Sequence, residues 1–455
     1  MSNCIDFCCS DFKSFDEPPF QSIEPLQNAI HPLFAFSQFE NVTQQDYDVL
    51  LTLPLRLASR CLKTDAFVKY AVIMTHGDLY TSRSSPTKLR RGRKVTWAEI
   101  DAPGYDPIND VALIRCPNPT WGKGVSPTMR TDSSNITNAL RRVINFAIAP
   151  LQDGCGGETL PVATTRGMCP VPDLNRGGQV RIEIAQIALD EGRRTSSNTG
   201  HEKYRWCFHF ARVVLHELAH GINYVANGDR SVEVYFKNSP YSEAGFDLEG
   251  PLFGGIFFQE TLRLPFMVPH DPDCSNANVT VDAMREWPSG AMAWKYISGF
   301  GKFGNRITPT NGEIIYHVPS QAITTLFDEG HWRDVLSTHG GRPLIDRRTF
   351  PRWVCKWHCP CDQRGEACTC GFSTRIVNTP ATGQAEEAGS TVAEDADGDV
   401  EMVDADAGFS EPYDLVLLSV HDRHSPARAM ITLHNVVRRQ AGFAKEEDPM
   451  VENVS

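Results

Sequence analysis

Apolar residues crowd nearly every face of the segment Trp206 to Ile222, where Trp206, Phe208, Phe210, Val213, Val214, Leu215, Leu218 and Ile222 leave little circumference for solvent. A helix with that pattern belongs in an interior. Asn227-Gly228-Asp229 is a turn signal that ends it. Upstream, Asp46 to Leu62 carries Leu50, Leu51, Leu53, Leu55 and Leu57 at helical density, with Pro54 expected to interrupt the helix. Leu140, Val143, Ile144 and Ala147 recur at helical spacing and predict an amphipathic helix over Asn138 to Ala149. Gly-rich turns follow. Val180 to Leu189 alternates apolar and polar residues over its first half, which predicts a strand. Further on, Trp287 to Tyr296 and Pro319 to Leu336 read as helices, the second with Ile323, Leu326, Phe327 and Val335 as its core face. Helices and strands in this order predict an α+β chain.

Composition divides the 455 residues. Residues 1–130 read as a partly helical N-terminal region and 131–350 as the main domain. A Cys-rich stretch occupies 351–372, an acidic linker 373–412, and a tail 413–455. The net charge of −12 is concentrated in one place, because residues 376–422 hold twelve carboxylates and no Lys or Arg. Setting those twelve aside leaves 44 acidic against 44 basic residues, so the folded part carries no field that would gather nucleic acid. The linker is rich in Ala, Gly, Thr and acid, and such a composition buries too little surface to order itself. The basic run Lys88 to Lys94 reads as a solvated segment ahead of a nucleic-acid or nuclear-import patch. Neither a basic n-region with an apolar stretch nor an eighteen-residue apolar run occurs, so no signal peptide and no membrane span are expected. The expected setting is intracellular, cytoplasmic or nuclear, with the fourteen cysteines reduced.

The interior helix carries His216, Glu217 and His220. Residues i and i+4 lie on one helix face about 6 Å apart along the axis, so two imidazoles can converge on one ion. Glu217 points to the flank, where a carboxylate can hold a water beside that ion without ligating it. The ordinary alternative is a pair of core histidines satisfied by backbone carbonyls. An ion would need a third ligand, and Glu243, Asp247 and Glu249 follow within reach.

His216-Glu217-Leu218-Ala219-His220, followed after some tens of residues by Glu243-x-x-x-Asp247, resembles the zincin metallopeptidases of the gluzincin type. The resemblance implies a zincin-like domain over 131–350 with a mixed sheet, an HExxH active-site helix, an edge strand beside the metal cleft and a helical lower lobe. It also implies Zn2+ on His216, His220 and Glu243, with Asp247 orienting His216. Glu249 and Asp247 stay open as the third ligand. The metzincin branch does not fit, since Asn223 and Ala226 stand where that branch has Gly and His. The same motif with Glu243-x-Gly245-Phe246 and Phe253-Gly254-Gly255 also resembles uncharacterised filamentous-fungal proteins over about residues 200–340, a resemblance that names no substrate. The expected activity is a zinc-dependent peptidase acting on peptide or protein, with Glu217 as general base. The alternative is a catalytically inert, zinc-stabilised interaction protein. Cys355, Cys359, Cys361, Cys368 and Cys370 read either as a second, structural zinc site, since neighbouring thiolates are eased by a shared cation, or as a flexible Cys-rich loop.

Overall fold

The computed structural model describes residues 20–84, 89–102, 113–122, 124–152, 155–162, 176–196, 200–228, 233–237, 239, 243–263, 278–285, 313–338, 342–347, 350, 352–358, 373–378 and 416–418. These residues form a mixed α+β structure. The chain enters through β1 (Phe39–Glu40) and α1 (Gln44–Asp46), passes a π-helical turn at Tyr47–Leu51, and continues as α2 (Thr52–Cys61). Pro54 does not interrupt this helix. A proline ring collides with the carbonyl four residues back and offers it no N–H. The wide turn just upstream, where the Thr52 amide donates to the Tyr47 carbonyl, shifts the preceding carbonyls and lets α2 run through Pro54. Helix α3 (Asp65–His76) follows, its first turn capped by the Thr64 hydroxyl accepting from the Phe67 amide.

Strands β2 (Asp78–Ser84) and β3 (Leu89–Val95) form an antiparallel pair, so most of the basic run lies on a sheet edge. Arg93 and Lys94 are exposed there and pair with Glu99 and Asp78 at 2.6 and 2.9 Å. Short α4 (Trp97–Ile100), β4 (Leu113–Cys116) and α5 (Pro127–Leu140) come next. The helix expected over Asn138 to Ala149 therefore ends at Leu140, and its second half is β5 (Ile144–Ala149). Ile144, Phe146, Ala147 and Ile148 are all buried, because β5 lies inside a parallel stretch of sheet between two neighbours. A strand covered on both faces shows a continuous apolar run, which happens to satisfy helical spacing as well.

β6 (Gly157–Pro161) and β7 (Val180–Ala185) complete that sheet in the order β1-β5-β7-β6, with β6 antiparallel at the edge. The strand expected at Val180 exists but is interior. The edge position belongs to β6, which arises from the stretch read as Gly-rich turns. Helix α6 (Gln186–Thr195) takes the second half of the alternating run.

Helix α7 (His201–Asn227) carries the HExxH motif and ends at Gly228, whose φ of 84° is open to glycine. It packs on α2, α3 and α6 and on strands β6 and β7. Gly221 sits at the crossing with the sheet, where a Cβ would lie 3.2 Å from Ile144. β8 (Tyr235–Phe236) joins β4, and α8 (Ala244–Phe253) then lies against α7.

Beyond α8 the expected helical lobe is largely an antiparallel sheet. Its strands are β9 (Ile256–Arg263), β10 (Asn278–Arg285), β11 (Glu313–His317), β12 (Arg352–His358), β13 (Ser373–Asn378) and β14 (Val416–Leu418), paired in sequence order. Between β11 and β12, the single helix expected over Pro319 to Leu336 is two, α9 (Ser320–Thr325) and α10 (Glu329–Thr338), broken at residues 326–328. Ile323, Leu326 and Phe327 are fully buried, while the side chain of Val335 lies outside the described residues, as does Trp287 to Tyr296. The first six residues of the expected disordered linker form β13, and 379–412 are outside the described residues.

One hydrophobic core spans Leu26 to Ile345 and draws on α2, α3, β5, β7, α7 and α8 together. Helix α5 runs across residue 130. The Leu26 amide donates to the Phe327 carbonyl at 3.0 Å, and Arg60 pairs with Glu329, tying the N-terminal segment to the turns around α9 and α10. Each fully buried Leu or Phe here contributes about 1.5–3 kcal/mol relative to exposure. No helix among the described residues is long and apolar enough to cross a membrane.

Candidate metal centre

At 100° per residue, Arg205, His209, Arg212, His216, His220, Asn223 and Asn227 fall within an arc of about 80° on α7. Beyond Arg205 the rest of the circumference is apolar apart from Glu217, so this half-buried polar stripe needs partners from other elements. Asp282 of β10 takes Arg205 Nε at 2.5 Å and His209 Nε2 at 2.8 Å. Glu249 of α8 takes Arg212 Nη1 at 3.2 Å and His216 Nδ1 at 2.8 Å. Glu233, just ahead of β8, takes His220 Nδ1 at 2.7 Å. Asn223 donates to the Val234 carbonyl at 3.3 Å, and Asn227 accepts from Arg115 at 3.1 Å.

These contacts fix both rings. A carboxylate on Nδ1 holds the proton there and leaves the Nε2 lone pair free. His216 Nε2 and His220 Nε2 then face each other at 3.3 Å. Glu243 Oε1 lies 2.9 Å from the second and 3.4 Å from the first. The three ligand atoms fall within 4.8 Å of one another. Glu243 occupies the N-cap position of α8, with φ −130° and ψ 85°, so the residue reaches the histidines from the start of that helix and not from a later turn. Glu233 braces the same corner by accepting from the Ala244 amide at 3.2 Å.

With neutral rings, three acceptors converge with no donor between them, and among the described residues Glu243 Oε1 is then buried without a donor. Buried lone pairs in that arrangement require a proton or a cation. Against the two imidazoles stand Glu233, Glu243 and Glu249, with the guanidinium of Arg212 beside the last. Burial alone would lower the pKa of His216, but Glu243 and Glu249 outweigh it and push it up to about 9. Burial likewise opposes protonation of His220, and Glu233 with Glu243 holds it well above the usual histidine range. Burial would raise Glu243 and Glu249, yet His220 and His216 beside the first, and Arg212 with His216 beside the second, keep both below the usual carboxylate range. A divalent cation on the three converging atoms would replace those protons.

Glu217 faces the edge strand. Thr159 Oγ1 on β6 lies 2.8 Å from Glu217 Oε2 and 3.0 Å from its carbonyl. Gly157 makes room for it, since a Cβ there would lie 2.7 Å from Glu217 Cγ and 2.9 Å from Val213 Cγ1. On the other flank, Gly245 of α8 is pressed against the His216 ring, and Phe246 meets the same ring edge-on at 4.9 Å. Tyr70 of α3 donates to the Ala219 carbonyl at 3.2 Å, bracing the motif from behind.

The structure brings His216, His220 and Glu243 together, and Glu217 lies on the flank of the same helix against Thr159. The carboxylate on His216 Nδ1 is that of Glu249, not Asp247. Helical geometry explains the difference: Glu243 precedes α8, and six residues later Glu249 has turned toward the other side of the same ring. Protein-family models, curated proteins and solved structures offer no match to this chain. Of the Cys-rich stretch, Cys355 and His358 fall on the backbone of β12, while Cys359, Cys361, Cys368 and Cys370 lie outside the described residues. Glu233, Thr159 and Arg212 are the members that sequence reasoning overlooked. Glu233 had a signal, an acid between Val232 and Val234 in an otherwise strand-like run, and Arg212 stands one helical turn before His216.

Proposed function

We propose that this chain is a zinc-dependent peptidase in which His216, His220 and Glu243 hold the ion and Glu217 is the general base. One observation carries the reading: two Nε2 atoms and a carboxylate oxygen converge within a single coordination sphere, and with neutral rings that oxygen is buried without a donor among the described residues. Two imidazoles and one carboxylate are a zinc-type donor set that leaves a coordination place open. When bound, zinc supplies a Lewis acid for the scissile carbonyl and acidity, near pH 7, for water. Glu217 takes the proton of the attacking water and returns it to the departing amine. Thr159 steadies the Glu217 carboxylate during both transfers. β6 pairs with β7 along one side only among the described residues, so its other side can bind an extended peptide by backbone hydrogen bonds.

The test combines metal analysis with peptide cleavage, with and without a chelator. Wild type and Glu217→Gln should each hold zinc, and Glu217→Gln should lose turnover. His216→Ala should lose the metal. Full cleavage by Glu217→Gln, or by the chelated protein, overturns the proposal. Bound zinc with no cleavage of any peptide, and a fold that loosens on chelation, would favour the inert interaction protein.

A further inference from the structure

The polar stripe of α7 continues past the metal ligands toward the N-terminus of the helix, through Arg212, His209 and Arg205. Arg212 precedes His216 by about 6 Å along the axis, and Arg205 by about 16 Å. Each meets a deeply buried carboxylate with only part of its donors. Arg212 uses Nη1 for Glu249, Arg205 uses Nε for Asp282, and His209 uses Nε2 for Asp282. A guanidinium has five N–H donors. Arg212 Nε is buried with no partner, and the two arginines keep 18% and 23% of their side-chain surface exposed. The partly exposed guanidinium edges keep N–H donors that these buried carboxylates do not use, and the group that matches such an edge is a carboxylate. On the opposite side of the ligands stands Glu233, and Glu217 and Glu243 flank them, so an anionic group placed there would be repelled.

We infer that the arginine-bearing side of the candidate metal site binds a carboxylate of the substrate, so that peptides with an acidic group to one side of the scissile bond are preferred. The inference rests on the peptidase reading and adds to it the substrate class. An extended peptide advances about 3.3 Å per residue, which sets Arg212 about two residues from the bond that is cut.

Capped Ala-Gly hexapeptides, with one position at a time set to Glu or Gln, test this with the zinc-loaded full chain. A second series compares a free C-terminal carboxylate with the amide. Cleavage is measured with wild type, and binding by fluorescence anisotropy with zinc-loaded Glu217→Gln. One position, or the free C-terminus, should be favoured about tenfold over its neutral counterpart, and less at high salt. A preference at an internal Glu identifies a side chain as the carboxylate read, and a preference only at the free terminus identifies the main-chain end. Arg212→Lys should bring that ratio toward one for the nearer acidic position, and Arg205→Met for a position about three residues farther out, with zinc content checked alongside. Arg205, eleven residues from His216, provides the reading if Arg212→Lys fails to fold. Cleavage with ratios within twofold of one throughout overturns the inference and leaves the peptidase reading standing. Acid-selective binding without cleavage supports the inference and overturns the peptidase reading, and neither binding preference nor cleavage overturns both.

Discussion

Gly245→Ala separates two physical expectations with opposite signs. Gly245 is the second residue of α8, and inside a helix Ala is favoured over Gly by about 1 kcal/mol, so local propensity alone predicts a gain. The site predicts a loss. A Cβ on residue 245 would fall about an ångström inside van der Waals contact with Nδ1, Cε1 and Nε2 of His216 at once. Because three ring atoms are struck together, rotation of the ring does not clear the clash. The ring must retreat by about an ångström, against tolerances of about 0.5 Å for a working site and about 0.2 Å for a metal bond. That retreat also strains the 2.8 Å contact with Glu249. The expected result is zinc binding weakened about a hundredfold, about 2.7 kcal/mol, with the metal-free melting temperature changed little. Competition titration against a zinc-sensitive dye measures this. Gly124→Ala, where nothing lies within 4 Å of the added carbon, is the control and should bind zinc as wild type does. If Gly245→Ala binds zinc within threefold of wild type, His216 is not a ligand in the geometry described.

Other outcomes follow from the same site. Glu249→Gln and Glu233→Gln should each weaken zinc binding about 10–100-fold by isothermal titration, since each removes the charge that holds one imidazole; unchanged affinity in both would refute their role. Thr159→Val should keep zinc and lower kcat about tenfold, and a loss confined to KM would contradict it. The metal-free protein should lose thermal stability with rising pH. His216 has its pKa raised from 6.5 to about 9 on folding, so its contribution is full below 6.5 and lost through 9, whereas zinc-loaded protein should melt at a nearly constant temperature over that window. A flat profile for the chelated protein would exclude this coupling.

The parts legible in the sequence were those written in local periodicity. The long helix, its end at Gly228, and the pairing of His216 with His220 follow from spacing along one element. β5 was misread because a strand buried on both faces has no alternation to show. Tertiary partners were the least legible. Glu249 could not be told from Asp247 without knowing where α8 begins, and a one-residue change in that start turns a carboxylate by 100°. The edge strand was hidden in a glycine-rich stretch because Gly157 exists to make room for Glu217, a requirement set by a residue sixty positions away. Pro54 obeyed its rule only in part, through a widened turn that no residue pattern announced.

The shared core from Leu26 to Ile345 limits how the protein can be cut down for study. A fragment begun at residue 131 would strip α3 from the back of the HExxH helix, removing Tyr70 from the Ala219 carbonyl and baring the apolar face of α7 that α3 covers. Such a fragment should express as aggregate, not as a minimal folded unit. Shorter soluble versions are better sought by trimming the distal end, keeping everything from about residue 20 to the strand that follows α10.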